Sequence, residues 1–318
     1  MLKTEEKMEE EQMSYNQFLE AIKVAVQKRL GNGYEIQIQQ IRKNNGVLLD
    51  GLIIGKARNG VSPTIYLNSY YINYSQGMPM EEILEEILTA YKENADVTLG
   101  DVKGILDFYN LRDKVAFKLI QREKNQELLK EVPYFDFLDL AVVFYLLLDE
   151  NKGGQMTVLI HNSHIKQWSV TKEELKYLAE KNTPVLLPPE IRTLKEVIRD
   201  IFTKQLGELS DDSFEDLFGT DESNPLIYVL SNKNQINGAA CVLYEGLLKH
   251  FAEEQKTDII ILPSSVHETL LIPDRENLKY EELIEMVCQI NSTEVLEEDV
   301  LSNNIYCYEL EKGKIVKI

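Results

Sequence analysis

LAVVFYLLL, at residues 140–148, is followed by a turn at residues 149–154 and by QMTVLI at residues 155–160. The apolar run is rich in β-branched and aromatic residues, which favour strands, although a buried helix could also accommodate it. Because a turn follows directly, we predict a buried antiparallel hairpin. The run is about half of the roughly 20 residues that a membrane-spanning helix needs, so it does not predict a membrane protein.

The segments before this hairpin predict a small lobe of helices and antiparallel strands. Ser14 and Gln17 have capping-box spacing at the start of an amphipathic helix. The β-rich runs 34–41 and 47–54 flank Asn44-Asn45-Gly46, and Asn-Gly accepts the positive φ angles of a tight turn. A short strand at residues 64–67 and a helix that begins at Pro79, with apolar residues on one face and glutamates on the other, complete this lobe.

The segments after the hairpin mix strands and helices without strict alternation. Two further capping boxes, Thr171 with Glu174 and Thr193 with Glu196, predict helices, and the second of these helices places Ile201 inward. Further predicted elements are a strand at 226–230, a helix at 238–255, paired strands at 258–262 and 267–272, a closing amphipathic helix with Cys288 on its inward stripe, and strands at 305–308 and 314–318. This pattern predicts an α+β fold of mixed, mainly antiparallel sheets packed with amphipathic helices, in two lobes.

We predict the following organisation. Residues 1–13 form a disordered tail, 14–98 an N-terminal α/β lobe and 99–318 the main α+β domain, with the boundary in ADVTLGDVKG at 95–104. Residues 207–224 are acid-rich and poor in core residues, so they predict a mobile loop.

The chain has 318 residues, of which 53 are acidic and 34 basic, and a formal net charge of -19. This charge argues against nucleic-acid binding, which requires basic residues that displace counterions. Two explanations of the acidity remain open. The acids can form a solvated surface that keeps the protein soluble, or they can dock a basic partner or mimic nucleic acid.

The cysteines and the N-terminal sequence indicate a cytoplasmic protein. The three cysteines, Cys241, Cys288 and Cys307, are odd in number and lie far apart, so we expect reduced thiols rather than disulfides. The N-terminal segment MLKTEEKMEEEQ lacks the apolar core of a secretory signal, and its acidity does not fit a transit peptide.

Two histidine patterns suggest metal sites at first sight. His161 and His164 have His-x-x-His spacing, but no cysteine or carboxylate follows at a spacing typical of a metal site. We therefore favour turn and helix-cap roles for these histidines. His267-Glu268 resembles the start of a zinc-protease motif but lacks its second histidine. We therefore assign no metal or cofactor site.

Cys241 and His267 are the one nucleophile–base pair that the sequence offers. Cys241 lies near the start of the predicted helix 238–255, where the helix dipole would stabilise a thiolate, and His267 begins a later strand. Core-type residues surround the cysteine, however, and these predict a buried, inert thiol. Both residues are kept as weak catalytic candidates, and no catalytic residue is assigned.

Several phrases, in this order, resemble the bacterial domain-of-unknown-function family 5688: NNGVLLDGLII, SPTIYLNSYY, FLDLAVVFYLLL, TVLIHNSHIKQWSVTKEEL, NTPVLLPPEI, LSNKNQINGAACVLYEGLLKHFAE and LPSSVHETLLIP. The resemblance covers nearly the whole chain after Met13. It implies a bacterial cytosolic protein that is one evolutionary unit, and it supplies no activity and no functional residue.

The leading hypothesis is a non-enzymatic cytosolic interaction or regulatory protein that acts through an acidic surface, with residues 207–224 as a candidate contact region. We expect a protein partner, no nucleic acid, no membrane and no cofactor. One alternative is a cysteine-dependent hydrolase or transferase that uses Cys241 and His267. The other is an acidic nucleic-acid mimic.

Overall fold

The computed structural model describes residues 12–56, 64–95, 107–151, 154–206, 226–263, 265–275 and 278–318. The predicted tail, the boundary segment 95–104 and the acidic loop 207–224 lie outside these residues, apart from residues 12, 13 and 95. The chain divides into two compact units. The first unit comprises residues 1–43 and 47–105, and the second comprises residues 44–46 and 106–318.

The first unit contains a small antiparallel sheet. Its elements are α1 (Tyr15–Leu30), β1 (Tyr34–Arg42), β2 (Leu48–Lys56), β3 (Thr64–Tyr66), α2 (Asn68–Ser75) and α3 (Met80–Ala95). The strand order is β1-β2-β3, and both pairings are antiparallel. The predicted hairpin is thus confirmed, and helix α2 is an addition that the sequence pattern did not predict.

Local sequence explains where these elements begin and turn. The backbone N–H of Ser14 donates to Oε1 of Gln17 over 2.8 Å, which caps the start of α1. Between β1 and β2, Asn45 and Gly46 have φ angles of 58° and 75°, the left-handed conformation that Asn-Gly tolerates. Partly buried tyrosines of α2 pack against the buried core of the unit, which comes mainly from α1, the strands and α3: Phe18, Ile22, Val26, Ile36, Leu52, Ile54, Ile65, Leu67, Ile83, Leu84, Ile87, Leu88 and Tyr91.

The second unit contains two antiparallel sheets. Its elements are α4 (Phe108–Leu111), β4 (Val115–Gln121), α5 (Gln126–Leu129), β5 (Tyr134–Phe137), β6 (Leu140–Asn151), β7 (Gly154–Leu159), α6 (Asn162–Trp168), α7 (Lys172–Leu186), β8 (Pro189–Thr193), α8 (Leu194–Leu206), β9 (Tyr228–Asn232), α9 (Leu247–Gln255), β10 (Ile259–Leu262), β11 (Thr269–Pro273), α10 (Tyr280–Thr293), β12 (Tyr306–Glu309) and β13 (Lys314–Lys317). Short 3₁₀ helices lie at Arg112–Lys114 and Gly238–Leu243.

Strand β6 is the centre of the four-stranded sheet, and it contains the run LAVVFYLLL. It pairs with β4 along one edge, and with β5 and β7 in succession along the other. The predicted hairpin of residues 140–160 is therefore confirmed as β6 and β7. The larger sheet has the order β13-β12-β10-β11-β9-β8 and is antiparallel throughout, so the α+β prediction is confirmed.

Strand β8 and helix α8 of the second unit differ from the sequence prediction. Strand β8 was not predicted because Pro188 and Pro189 obscured it, yet it lies at a sheet edge, where a missing N–H is tolerated. The prediction that Ile201 faces inward is wrong, since this residue is 48% exposed. Among the described residues, helix α8 packs on β8 and β9 at that edge, and this packing leaves Ile201 accessible.

Candidate functional site

Cys241 lies in the 3₁₀ helix Gly238–Leu243 and not in an α-helix. The predicted single helix 238–255 is wrong, because the chain breaks at Tyr244–Gly246, where Gly246 adopts a φ of 75°, before α9 begins. A short 3₁₀ helix has no substantial macrodipole, so the expected stabilisation of a thiolate by a helix N-terminus is lost.

Gly238 allows the start of this 3₁₀ helix to approach two neighbouring segments very closely. A Cβ atom at this position would overlap with Oγ of Ser231 at the end of β9 and with the carbonyl oxygen of His267 before β11. Ser231 Oγ also donates to that carbonyl over 2.7 Å. The residue type at position 238 is therefore set by packing, and it brings the Cys241 and His267 segments into one cluster.

The Cys241 thiol is fully buried in this cluster. Its Sγ donates to the carbonyl oxygen of Ser231 over 3.4 Å. Burial raises the pKa of Cys241 to about 12, although hydrogen bonds with Tyr244 and with its own backbone act in the opposite direction. Because the thiolate is the nucleophilic form, a thiol in this environment is unreactive near neutral pH.

The His267 imidazole has partners on both ring nitrogens. Nδ1 accepts from the backbone N–H of Asn237 over 3.3 Å, and Nε2 lies 3.3 Å from Oδ1 of Asp299. This arrangement fits the neutral tautomer that carries its proton on Nε2. Neither nitrogen hydrogen-bonds to the Cys241 sulfur in the part of the chain that the structure describes. The two candidates are thus neighbours through Ser231, and among the described residues they are not hydrogen-bonded to each other.

His161 and His164 cap a helix. His161 is the N-cap residue of α6, and its backbone N–H donates to Nδ1 of His164 over 3.1 Å. The His164 ring stacks on Trp168, and burial followed by the nearby His161 lowers the pKa of His164. Among the described residues, no group of three or more histidine, cysteine or acidic side chains is placed to hold a metal ion.

The prediction that Cys288 is a core residue is wrong, because it is exposed on α10. The buried positions of this helix are Val287 and Asn291. Asn291 faces inward because its Nδ2 donates to the Ser302 carbonyl and to Oδ1 of Asn303, each over 2.9 Å. A helical periodicity based on apolar residues alone does not detect a buried asparagine. The buried face of α10 was therefore assigned to the wrong residues.

Asp139 is a structural centre that the sequence reasoning missed. It lies in the two-residue turn between β5 and β6 and accepts from Oγ of Ser302 over 2.7 Å, Nδ2 of Asn304 over 3.0 Å and the Tyr306 hydroxyl over 3.0 Å. Burial by itself would raise the pKa of Asp139, but these bonds favour the carboxylate and lower it on balance. The network joins the four-stranded sheet to the segment that enters β12.

The comparisons place the chain in a family. The model of the family of unknown function DUF5688 matches residues 15–310. The chain belongs to this family. No curated protein and no solved structure matches it. None of the described helices combines the length and the apolar composition that crossing a bilayer requires.

The solvent side of α10 and the turn after it carry both acidic and apolar exposed side chains. Glu281, Glu282 and Glu285 are exposed along the helix. Among them lies Met286, which is 36% exposed, and Leu296 in the following turn is 68% exposed. We call these five residues the α10 surface. It combines exposed carboxylates with accessible apolar side chains, a combination suited to a protein contact.

Proposed function

We propose that this protein is a non-enzymatic, cytoplasmic binding protein that recognises a basic protein partner through the α10 surface. The observation that carries the proposal is the pairing of exposed carboxylates with exposed Met286 and Leu296. Isolated exposed apolar residues are common on proteins, but here Met286 is accompanied by exposed acids on a helix whose other side packs into the core, and Leu296 follows in the next turn.

The charges of this surface are largely uncompensated. Lys279 pairs with Glu282 over 2.5 Å, but within the described residues neither Glu281 nor Glu285 has an ion pair, and the same is true of Glu294 at the end of α10. Such carboxylates attract a basic patch on a partner protein over distances up to the Debye screening length. This attraction raises the association rate of the two proteins. The apolar side chains then supply area that is removed from water.

The geometry of the Cys241 cluster supports a binding function over the hydrolase alternative. Catalysis by Cys241 would require a thiolate and a base that is free to accept its proton. The thiol is buried with a raised pKa, and both nitrogens of His267 already have partners. A binding function makes no such demand on these residues.

The test is affinity capture from cells of the native host, with mass spectrometry, in 50 mM and 300 mM salt. The test variant carries Glu281→Gln, Glu285→Gln and Glu294→Gln. The control variant carries Glu82→Gln, Glu86→Gln and Glu93→Gln, which remove the same charge from the exposed face of α3.

We expect a partner that the wild type and the control capture equally and that the test variant captures roughly tenfold less, with loss in high salt. Equal capture by all three proteins, or capture insensitive to salt, would contradict the proposal. A captured nucleic-acid-binding protein, released by added nucleic acid, would specify the partner class as that of an acidic mimic.

A further inference from the structure

An open pocket of about 590 Å³ lies in the second unit, where the start of α9 meets the β12–β13 hairpin. This volume is within the range of small-molecule sites. The pocket is lined by apolar side chains that are buried or partly buried: Val242, Leu243, Leu248, Tyr308, Leu310 and Ile315. None of the catalytic candidates or the residues of the α10 surface lines it.

The Tyr308 hydroxyl is an unpartnered donor at this pocket. Tyr308 is 7% exposed, and its hydroxyl forms no hydrogen bond with the described residues. A Cβ atom built on Gly313, which also lines the pocket, would lie 3.9 Å from this hydroxyl, so the hydroxyl lies close to the hairpin turn at the edge of the pocket. Burial, followed by the Glu253 carboxylate, raises the pKa of Tyr308, so the group remains a donor at neutral pH.

Three lysines surround the pocket, although the whole chain is acidic. Lys312 bonds to Glu309 over 2.7 Å, Lys249 lies 3.9 Å from Glu253, and Lys314 has no ion pair within the described residues. One acid, Glu311, also lines the pocket, and Glu309 and Glu253 lie beside it as partners of two of the lysines. All three lysines are exposed, so their ammonium groups can move towards a ligand at little cost.

The first turn of α9 adds backbone donors on the same side. Its N-cap is Gly246, which has no side chain to accept from the helix, and within the described residues the amides of Leu248 and Lys249 have no capping acceptor. Uncapped amides at a helix start favour an anion. Two kinds of donor, amides and lysines, therefore accompany the Tyr308 hydroxyl around an apolar lining.

We propose that this pocket binds a small organic anion with an apolar body and a carboxylate or phosphate group. The apolar body contacts Leu243, Leu248 and Ile315. The anionic group accepts from the Tyr308 hydroxyl and pairs with Lys312 and Lys314. The pocket shares no residue with the α10 surface, so this proposal does not depend on the protein partner proposed above.

The test is a fluorescence titration of the full chain with anilinonaphthalene sulfonate, an apolar anion, followed by competition with decanoate and with inorganic phosphate. The variants are Tyr308→Phe, Lys314→Gln and the double variant Lys312→Gln with Lys314→Gln. The matched control is Lys317→Gln, which removes an exposed charge from the same strand but does not line the pocket. Circular dichroism verifies that each variant is folded.

We expect the probe to bind the wild type and the control with the same Kd, within about twofold. Tyr308→Phe and Lys314→Gln should each raise Kd about tenfold, the effect of losing one hydrogen bond to a charged group, and the double variant should raise it further. Decanoate should displace the probe. Kd values of all variants within twofold of the wild type, or displacement by inorganic phosphate but not by decanoate, would overturn the proposal.

Discussion

Replacing Asp139 by asparagine is expected to destabilise the second unit strongly. The side chain keeps its shape but loses its charge, and it presents an NH₂ group to donors where an oxygen stood. Ser302, Asn304 and Tyr306 all donate to the native carboxylate, over 2.7, 3.0 and 3.0 Å. Ser302 is fully buried and Tyr306 is 3% exposed, so water cannot easily replace the lost acceptor.

The magnitude follows from these bonds. A hydrogen bond to a charged group contributes roughly 1.5–3 kcal/mol, and an unsatisfied buried donor costs about 1–3 kcal/mol. Asp139 itself is only half-buried, and asparagine retains one acceptor oxygen, so the three effects do not add fully. We expect a loss of about 3 kcal/mol, which lowers Tm by roughly 6–12 °C in a domain of this size.

The effect should depend on pH with a defined sign. The pKa of Asp139 is lowered from its usual value of 3.8, so the carboxylate stabilises the folded chain fully above that value. The stabilisation is lost as the pH falls through the lower, folded pKa. The stability difference between wild type and Asp139→Asn should therefore be constant from pH 7 to pH 5 and shrink below pH 3.8.

The assay is thermal unfolding followed by circular dichroism at several pH values. The control is Asp136→Asn on the same hairpin, because Asp136 pairs with Arg122 over 3.1 Å at an exposed position and contributes about 0.5 kcal/mol or less. If Asp139→Asn lowers Tm no more than Asp136→Asn does, the Asp139 network does not stabilise the unit as argued.

Three further predictions concern the glycine, the remaining thiols and metal content. Gly238→Ala should cost roughly 2–3 kcal/mol by overpacking, whereas Gly33→Ala, which meets no atom within 4 Å, should be nearly neutral in the same unfolding assay. In the native protein Cys288 should react with a thiol reagent at the rate of an exposed cysteine. Cys307 should react far more slowly, because it is buried and its pKa is raised to about 12. Equal rates for the two thiols would contradict the assignment of Cys288 as exposed and Cys307 as buried. Elemental analysis should find well under one zinc per chain, and about one zinc per chain that is lost on changing His161 and His164 to alanine would contradict the cap role given to this pair.

Local signals in the sequence predicted most of the fold. The turn residues Asn45 and Gly46, the cap at Ser14 and the apolar run from Leu140 to Leu148 each act within a few residues of the chain, so a pattern can detect them. The break at Gly246 was missed because the apolar spacing continues across it on both sides. Helical periodicity does not record where a backbone changes direction.

The candidate sites were less predictable because their contacts are distant in sequence. Asp139 meets its partners 163 to 167 residues later, and the neighbour of His267 that occupies Nε2 is Asp299. The sequence correctly indicated that Cys241 lies among core-type residues, but it could not show that His267 has partners on both ring nitrogens. Side-chain acceptors far along the chain decide which polar groups are free to act, and no spacing rule encodes them.

The rate at which Cys241 reacts with a thiol reagent near neutral pH tests most directly the central claim that Cys241 is a structural residue and not a catalytic nucleophile. Native protein and denaturant-unfolded chain are labelled in parallel, and the Cys241 peptide is quantified by mass spectrometry. Because the thiol is buried and its pKa is raised to about 12, we predict that Cys241 reacts at least roughly 100-fold more slowly in the native protein than in the unfolded chain. Faster labelling in the native protein than in the unfolded chain would reveal an activated thiolate, contradict the account and make the Cys241–His267 hydrolase the leading function.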